Sequence, residues 1–578
     1  MKTLNMRTIC GIWLLCLLIG LPALAQSGTE PILVTDLLKI RQLGNVTASQ
    51  DGRFLAYTVR SIVEDEETDY RYRSQVWIVP VARGEEPRQL TFSDAGASAP
   101  AWHPDNERLV FVRPVEGVAQ LFEISVFGGE ARQLTDFKHG TSQPQWSPDG
   151  QRILFSASLS EKEVAEETGE TPVWSEERPM RQRADADNTD PDPDDSLASV
   201  RAWLSDNAEE SNPRVFTRLD LQGELALQTH GQYNHYFVAE TDGSVSMVTH
   251  GFYSYSGAAW LPDSRQLVLS GYPPGTTHPD RENDRDLYLI DIYERRLQRL
   301  LDIDRLSLFS PSVSPDGDRI SFLARDLTDP GYAQTELGIF DLDGQSAPEM
   351  LTLDFDRSVG NVHWSTDAWF VYFTAPSEGG FPLYRVMINE GKPALPTPQP
   401  DTTAMPTPAR DSFFFGELVR RGLRVERMTS PEHGIRSYDL TRATAFMVRT
   451  EVLNPFELYS STMEFRGQRR LSSHNEPWLR NKRLSLPATR YVDRDTLRIQ
   501  YWVMPPAFQE LDQTYPLLLA IHGGPASMWG PGEATMWHEF QFLASKGYGI
   551  VYSNPRGSGG YGRDFKAANY QNWGDGPG

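Results

Sequence analysis

The chain has 578 residues, with 55 Lys and Arg against 78 Asp and Glu, and a net charge of −23 at pH 7. Such an excess of negative charge repels phosphate backbones and anionic lipid surfaces, which excludes nucleic acid and an anionic membrane as partners. The length exceeds what one ordinary hydrophobic core organises, so more than one domain is expected.

Residues 1–25 read as a secretion signal. Lys2 and Arg7 precede the apolar run Ile9 to Leu21, and Ala23-Leu24-Ala25 offers a small-x-small cleavage point before Gln26. The run is shorter than the roughly 20 residues that a membrane-spanning helix needs. The protein is therefore expected to be exported, periplasmic or secreted, with no membrane contact after cleavage. Cys10 and Cys16 both lie in this segment, so the mature chain would have no disulfide and depend on its own core. Residues 26–44 follow as an N-terminal segment. There "EPILVTDLLKIRQLG" predicts a short helix with Thr35 or Asp36 near its start.

From residue 45 to 480 one pattern recurs: an apolar residue, often Trp, then Ser/His/Leu-Pro-Asp-Gly or a variant, then a short alternating run. The copies are "TASQDGRFLAYTV", "PAWHPDNERLVFV", "PQWSPDGQRILFSA", "AAWLPDSRQLVLS", "PSVSPDGDRISFL" and "VHWSTDAWFVYFT". Their aspartates, Asp51, Asp105, Asp149, Asp263, Asp316 and Asp367, are 54, 44, 114, 53 and 51 residues apart. Each copy reads as a hairpin, in which Pro presets φ and Gly accepts the positive φ that follows a type I turn. A period of roughly 40–55 residues with several strands per copy predicts a β-propeller. "SYDLTRATAFMVRTE" supplies a weaker seventh copy, so seven blades are expected. The doubled interval marks an insertion over 160–212. Its "DADNTDPDPDD", acidic and proline-rich, predicts a solvated excursion rather than sheet, and lacks the spacing of a calcium loop. "KPALPTPQPDTTAMPTPAR" reads as an extended connector within a late blade.

The pattern changes over 481–578. "TLRIQYWVMPP" is an alternating strand, while "PLLLAIHGG" and "GYGIVYSNPRG" are apolar strands flanking a helix whose Met536, Phe540, Leu543 and Ala544 share one face. Strand, helix and strand of this kind predict a parallel sheet covered on both faces. The first apolar strand ends in His522-Gly523-Gly524-Pro525, a turn suited to pointing backbone N–H groups at a developing negative charge. No G-x-S-x-G elbow occurs anywhere in the chain: Arg556 stands two before Ser558, and Pro525 two before Ser527. Gly557 to Gly562 fits the dinucleotide fingerprint formally, but Asn554-Pro555-Arg556 separates it from the strand, so nucleotide binding is not expected. His538-Glu539 lacks the second histidine of a zinc pair, because Phe542 stands in its place.

The Trp-Ser-Pro-Asp-Gly repeats, the His522–Pro525 turn and Asn554-Pro555-Arg556-Gly557-Ser558-Gly559-Gly560-Tyr561-Gly562, in this order, resemble the prolyl-oligopeptidase family of serine peptidases. The likeness is greatest to its acylaminoacyl-peptidase and bacterial dipeptidyl-peptidase branch. The resemblance implies a β-propeller followed by the N-terminal part of an α/β-hydrolase domain. It implies cleavage of short peptides through an acyl-enzyme, without cofactor or metal, and a propeller acting as a lid over the site. It implies that the N–H of Gly524 is half of an oxyanion hole, with His522, Gly523 and Pro525 shaping the turn. The catalytic serine, aspartate and histidine are expected beyond Gly578, which makes the chain as written an inactive fragment. The alternative from another class is a non-catalytic periplasmic propeller that binds a protein partner.

Overall fold

The computed structural model describes residues 28–66, 69–171, 190–206, 231–272, 283–329, 331–344, 346–388, 419–420, 425–510, 512–524 and 526–572. Residues 1–25, expected to be a secretion signal, the acidic stretch up to residue 189, the expected connector 392–410 and Pro525 lie outside the described residues.

The Ser-Pro-Asp-Gly turns form as their chemistry demands. In the third copy Gly150 N–H donates to Ser147 O at 2.9 Å, and Gly150 adopts φ +69. Ser147 Oγ donates to Asp149 Oδ1 at 2.6 Å and accepts from Arg152 N–H at 3.0 Å, so the serine braces both sides of the turn. Ser49 with Asp51, Ser314 with Asp316, and Ser365 with Asp367 repeat this brace. The turns connect the first and second strands of antiparallel four-stranded sheets. Among the described residues seven sheets with this four-stranded antiparallel frame follow one another, beginning at Gln42, Ser98, Ser142, Ser256, Leu306, Gly360 and Gly434, and they are the blades of a seven-bladed propeller; the fifth gains an outer parallel strand, Val419–Arg420. Their first strands meet in turn, with the seventh returning to the first. The weak copy at Ser437 is a complete blade, Gly434–Leu440 to Arg469–Arg470.

The recurring tryptophans join blades as well as fill space. Trp102 Nε1 donates to Thr47 O at 3.0 Å, Trp260 to Gln145 O at 3.4 Å and Trp364 to Ser312 O at 3.1 Å, each crossing to the preceding blade. Among the described residues no strand is exchanged where the ring closes. Instead Ser437 Oγ accepts from Val46 N–H at 3.0 Å and Asp439 Oδ2 from Ala48 N–H at 2.7 Å, over a core shared by Leu43, Tyr57, Phe446 and Leu458. The inner strands of the first six blades also carry a bulge, with positive φ at Asn45, Ala99, Gln143, Gly257, Ser310 and Asn361.

The insertion differs from expectation in extent and form. Pairing in blade three continues to Ser160↔Gln232, so the excursion runs about twenty residues beyond 212. It opens with a helix, Glu161–Thr168, capped reciprocally by Ser160 and Glu163. His139 fixes that helix, its two ring nitrogens 3.2 Å from Glu163 and 3.0 Å from Glu167. A second helix spans Leu197–Asp206. The connector expected in a late blade falls between the third and fourth strands of blade six, Leu383–Met387 and Val425–Arg427.

Beyond the propeller a four-stranded sheet runs in the order Ala488–Arg494, Leu497–Met504, Gly549–Ser553, Leu517–Ala520. The two strands that flank the helix, Leu517–Ala520 and Gly549–Ser553, are parallel as expected, but the other two pairings are antiparallel and among the described residues only one face is covered, which corrects the expectation of cover on both. The helix Trp537–Ser545 covers one face, packing Phe540 and Ala544 on Trp502, Met504, Ile550 and Tyr552. Alternation sends Leu517, Leu519 and Ile521 to the other face, where they are 67%, 61% and 74% exposed. The N-terminal segment forms a 3₁₀ turn, Val34–Lys39, and straps the two parts together. Ser545 Oγ accepts from Ile32 N–H at 3.0 Å, Asn475 Oδ1 accepts from Arg41 N–H at 2.8 Å, and buried Asp36 pairs with Lys482 at 2.9 Å.

Blade three also buries His235 completely, with Nδ1 3.1 Å from Thr249 Oγ1. Burial foremost, and then the charge of His250, lowers its pKa to about 4. An unfolded imidazole titrates near 6.5, so between these values the unfolded state takes up a proton that the folded state refuses. Stability therefore falls as pH drops through that window, by up to about 3 kcal/mol. Urea denaturation at about pH 7 and about pH 4.5 should show a smaller loss for His235→Gln than for the wild type.

Candidate active site

In an α/β sheet, ligands meet the carboxyl ends of parallel strands. Here the register Leu517↔Gly549 through Ala520↔Tyr552, carried two residues further, brings His522 beside Asn554. His522 is half-buried, Asn554 fully buried, and His522 Nε2 lies 3.1 Å from Asn554 Oδ1. Gly523 and Gly524 are exposed, and Gly524 has φ +68. Among the described residues no acceptor meets the N–H of Gly524, whereas its carbonyl accepts from Ser527 N–H at 3.4 Å.

The contacts of Asn554 fix the protonation of His522. Trp529 N–H can only donate, so the oxygen of Asn554 must face it, at 2.8 Å. Trp529 O can only accept, so the amide nitrogen must face that, at 2.7 Å. Since Oδ1 also faces His522 Nε2, a neutral imidazole carries its proton there. Ser558 Oγ sits 3.3 Å from the same nitrogen. A protonated Nε2 cannot take the Ser558 proton, so the two do not form a nucleophile and base. Ser558 is moreover 1% exposed, and among the described residues the other imidazole nitrogen meets Gly523 O at 3.3 Å rather than an acidic group.

Sequence reasoning assigned no chemistry to Asn554 and did not single out Gln500. Asn554 Nδ2 donates to Tyr561 Oη at 2.9 Å, and the phenol O–H in turn donates to Gln500 Oε1 at 2.7 Å. Burial pushes the Tyr561 pKa upward, against the hydrogen bond from Asn554, which keeps the phenol a donor. No local pattern marks the pair, because His522 and Asn554 meet only through the register of two strands separated by a helix.

The glycines of "NPRGSGGYG" serve close approach. A Cβ on Gly559 would lie 2.6 Å from Ala526 O, one on Gly560 2.3 Å from Met528 Sδ, and one on Gly562 2.2 Å from Asp356 Oδ2 of the propeller. Asp356 Oδ1 accepts from Arg563 N–H at 2.8 Å, and the Arg563 side chain pairs with Asp329. Met528 to Gly532, just after the turn, packs backbone to backbone on propeller loops: Gly532 N–H donates to Gly379 O at 3.1 Å and Gly532 O accepts from Thr450 Oγ1 at 2.8 Å. His538 is spent on the strap, its Nε2 3.0 Å from Leu33 O.

Among the described residues one acidic trio, Asp284, Asp286 and Asp302 in blade four, brings carboxylate oxygens within 4.8 Å of one another. Arg299 already pairs with two of them, at 3.4 Å to Asp286 and 2.9 Å to Asp302, so its guanidinium offsets part of the charge.

The contact between propeller and sheet is testable. A Cβ on Gly530 would stand 2.1 Å from Gly379 O, which as backbone cannot turn aside. Gly530→Ala should cost about 1–3 kcal/mol, seen as a melting midpoint lower by several degrees. Gly360→Ala, where nothing lies within 4 Å, should be close to neutral.

Comparison with known proteins places this geometry. Residues 534–577 match the prolyl oligopeptidase family. An uncharacterized peptidase, YuxL, of Bacillus subtilis is 45% identical over 112 residues, covering 19% of this chain and 16% of its own. A probable dipeptidyl-peptidase 5 of Arthroderma benhamiae is 26% identical over 270 residues, covering 46% of this chain and 33% of its own. The chain thus spans a third or less of the length of these relatives. In fold it is similar to Pyrococcus horikoshii acylaminoacyl peptidase, with TM-score 0.63, 19% identity, and coverage of 93% of this chain and 68% of that one. The chain is a seven-bladed propeller joined to α/β-hydrolase sequence, and its likeness, in motifs and in fold, is to the prolyl oligopeptidase family.

Proposed function

We propose that this protein is an exported serine peptidase that cleaves short peptides through an acyl-enzyme. The observation that carries the reading is the open Gly524 amide, at the carboxyl end of two parallel strands and in a turn fixed from behind. A carbonyl attacked by a serine gathers charge on its oxygen, and a backbone donor about 3 Å away stabilises that charge without reorganising. In this reading Gly524 is one such donor, and His522, Gly523 and Pro525 shape its turn. The apolar run after Lys2 and Arg7 supports export. The propeller packs beside the turn through Gly379 and Ser377, which suits a lid that admits short unfolded peptides.

No member of the triad is assigned to the residues described. Ser558 and His522 are excluded as a pair by the protonation argument, and the chain has no G-x-S-x-G. The exposed stripe Leu517, Leu519 and Ile521 supports the reading that more of the peptidase domain packs on this face.

A fluorophosphonate serine probe should leave this chain unlabelled; stoichiometric labelling would overturn the reading that no serine of this chain is the nucleophile. The bare sheet face should bind a hydrophobic dye, and Leu519→Lys should lower that signal by half or more. A chain that bound no dye and stayed monomeric would count against the missing cover.

A further inference from the structure

We propose that Asn554 is the positioning residue of the glycine turn: one buried amide staples both ends of the loop 522–529 and so holds the Gly524 N–H in its aim. This rests on the oxyanion role of Gly524 proposed above and deepens it.

The loop has little of its own to hold it. Its internal backbone hydrogen bond among the described residues is Ser527 N–H to Gly524 O, long at 3.4 Å, and its middle is exposed. A glycine at positive φ in such a segment has wide conformational freedom. Yet an oxyanion donor acts by being fixed before charge develops, so the order must come from outside the turn.

Asn554 supplies it. Its oxygen accepts from His522 Nε2–H at 3.1 Å, at the start of the loop, and from Trp529 N–H at 2.8 Å, at the end. Its nitrogen donates to Trp529 O at 2.7 Å and to Tyr561 Oη at 2.9 Å. Every valence of the amide is used, and the residue is 0% exposed. Asn554 is itself anchored, for its backbone N–H donates to Gln500 O at 3.1 Å and Gln500 Oε1 holds Tyr561. The loop is also backed from the far side by Gly559 N–H, which donates to Ser527 O at 3.2 Å. Aspartate at this position would keep the accepting half of the staple and lose the donating half. Alanine would lose both, leaving Trp529 N–H without its acceptor and His522 Nε2–H with only the longer contact to Ser558 Oγ at 3.3 Å.

The test has two readouts. In hydrogen exchange on this chain, Asn554→Ala should speed exchange across 522–529 at least tenfold, and Asn554→Asp less. The strands Leu517–Ala520 and Gly549–Ser553 should keep wild-type rates in the same sample, which guards against loss of fold. In the natural gene product Asn554→Ala should lower kcat at least tenfold with KM within about twofold, and Asn554→Asp should recover part of it. Unchanged exchange in the loop, or a loosened loop with unchanged kcat, overturns the proposal. Failure of the oxyanion reading shows differently, as a natural product that has no peptidase activity and does not react with the serine probe.

Discussion

Two parallel strands in one register govern the arrangement of this molecule's carboxyl-terminal part. With Ala520 opposite Tyr552, the next in-register pair beyond the strand ends is His522 and Asn554. A slip of one residue would turn each side chain to the opposite face. His522 would then leave Asn554, and Leu518 and Ala520 would exchange places with Leu517 and Leu519. The register is pinned by burial on one side, where Ile550 and Tyr552 pack under Phe540 and stack toward Trp502. The glycine turn is therefore aimed by a hydrophobic contact some distance behind it.

The same segment is constrained from the propeller side by backbone contact. Gly379, Gly380, Gly434, Gly530 and Gly532 meet at separations that leave no room for a Cβ. Side chains would have kept the two surfaces apart; without them carbonyls and amides bond across directly. The strap adds the buried Asp36–Lys482 pair. Burial raises the Asp36 pKa, but its hydrogen bonds and the Lys39 and Lys482 charges outweigh this and lower it. A buried pair of this kind adds little net stability against an apolar alternative, but it punishes misplacement of either partner. Its use here is to specify where the N-terminal segment lies.

Much of the fold was legible because turn chemistry is local. Ser147-Pro148-Asp149-Gly150 declares a turn through φ preferences that need no tertiary partner, and six copies at blade spacing declare the propeller. The inner-strand bulges were not legible. Asn45, Ala99, Gln143 and Ser310 are not residues that favour positive φ as a set, so the ring geometry imposes it on them. The extent of the insertion was misjudged for a related reason: only long-range pairing, Ser160 with Gln232, says where the blade resumes. At the site, the glycine corner was legible from composition, but Asn554 was not. Its role depends on a register between strands separated by a helix, and no local pattern encodes that.

The division of labour between the two glycine motifs follows from what each must face. Gly523 and Gly524 are exposed, and Gly523 has nothing within 4 Å of where a Cβ would stand, so packing does not explain it. Gly557, Gly559, Gly560 and Gly562 are crowded, each with a neighbour closer than 3 Å to that position. Packing alone accounts for the second group: larger residues would push the loop off Asn569, Ala526, Met528 and Asp356. In the first group Gly524 is called for by its φ of +68, but Gly523 needs a reason outside the packed structure. An incoming group that must approach the bare backbone of the turn is such a reason, and it is the one that an open amide at the end of a buried strand would serve.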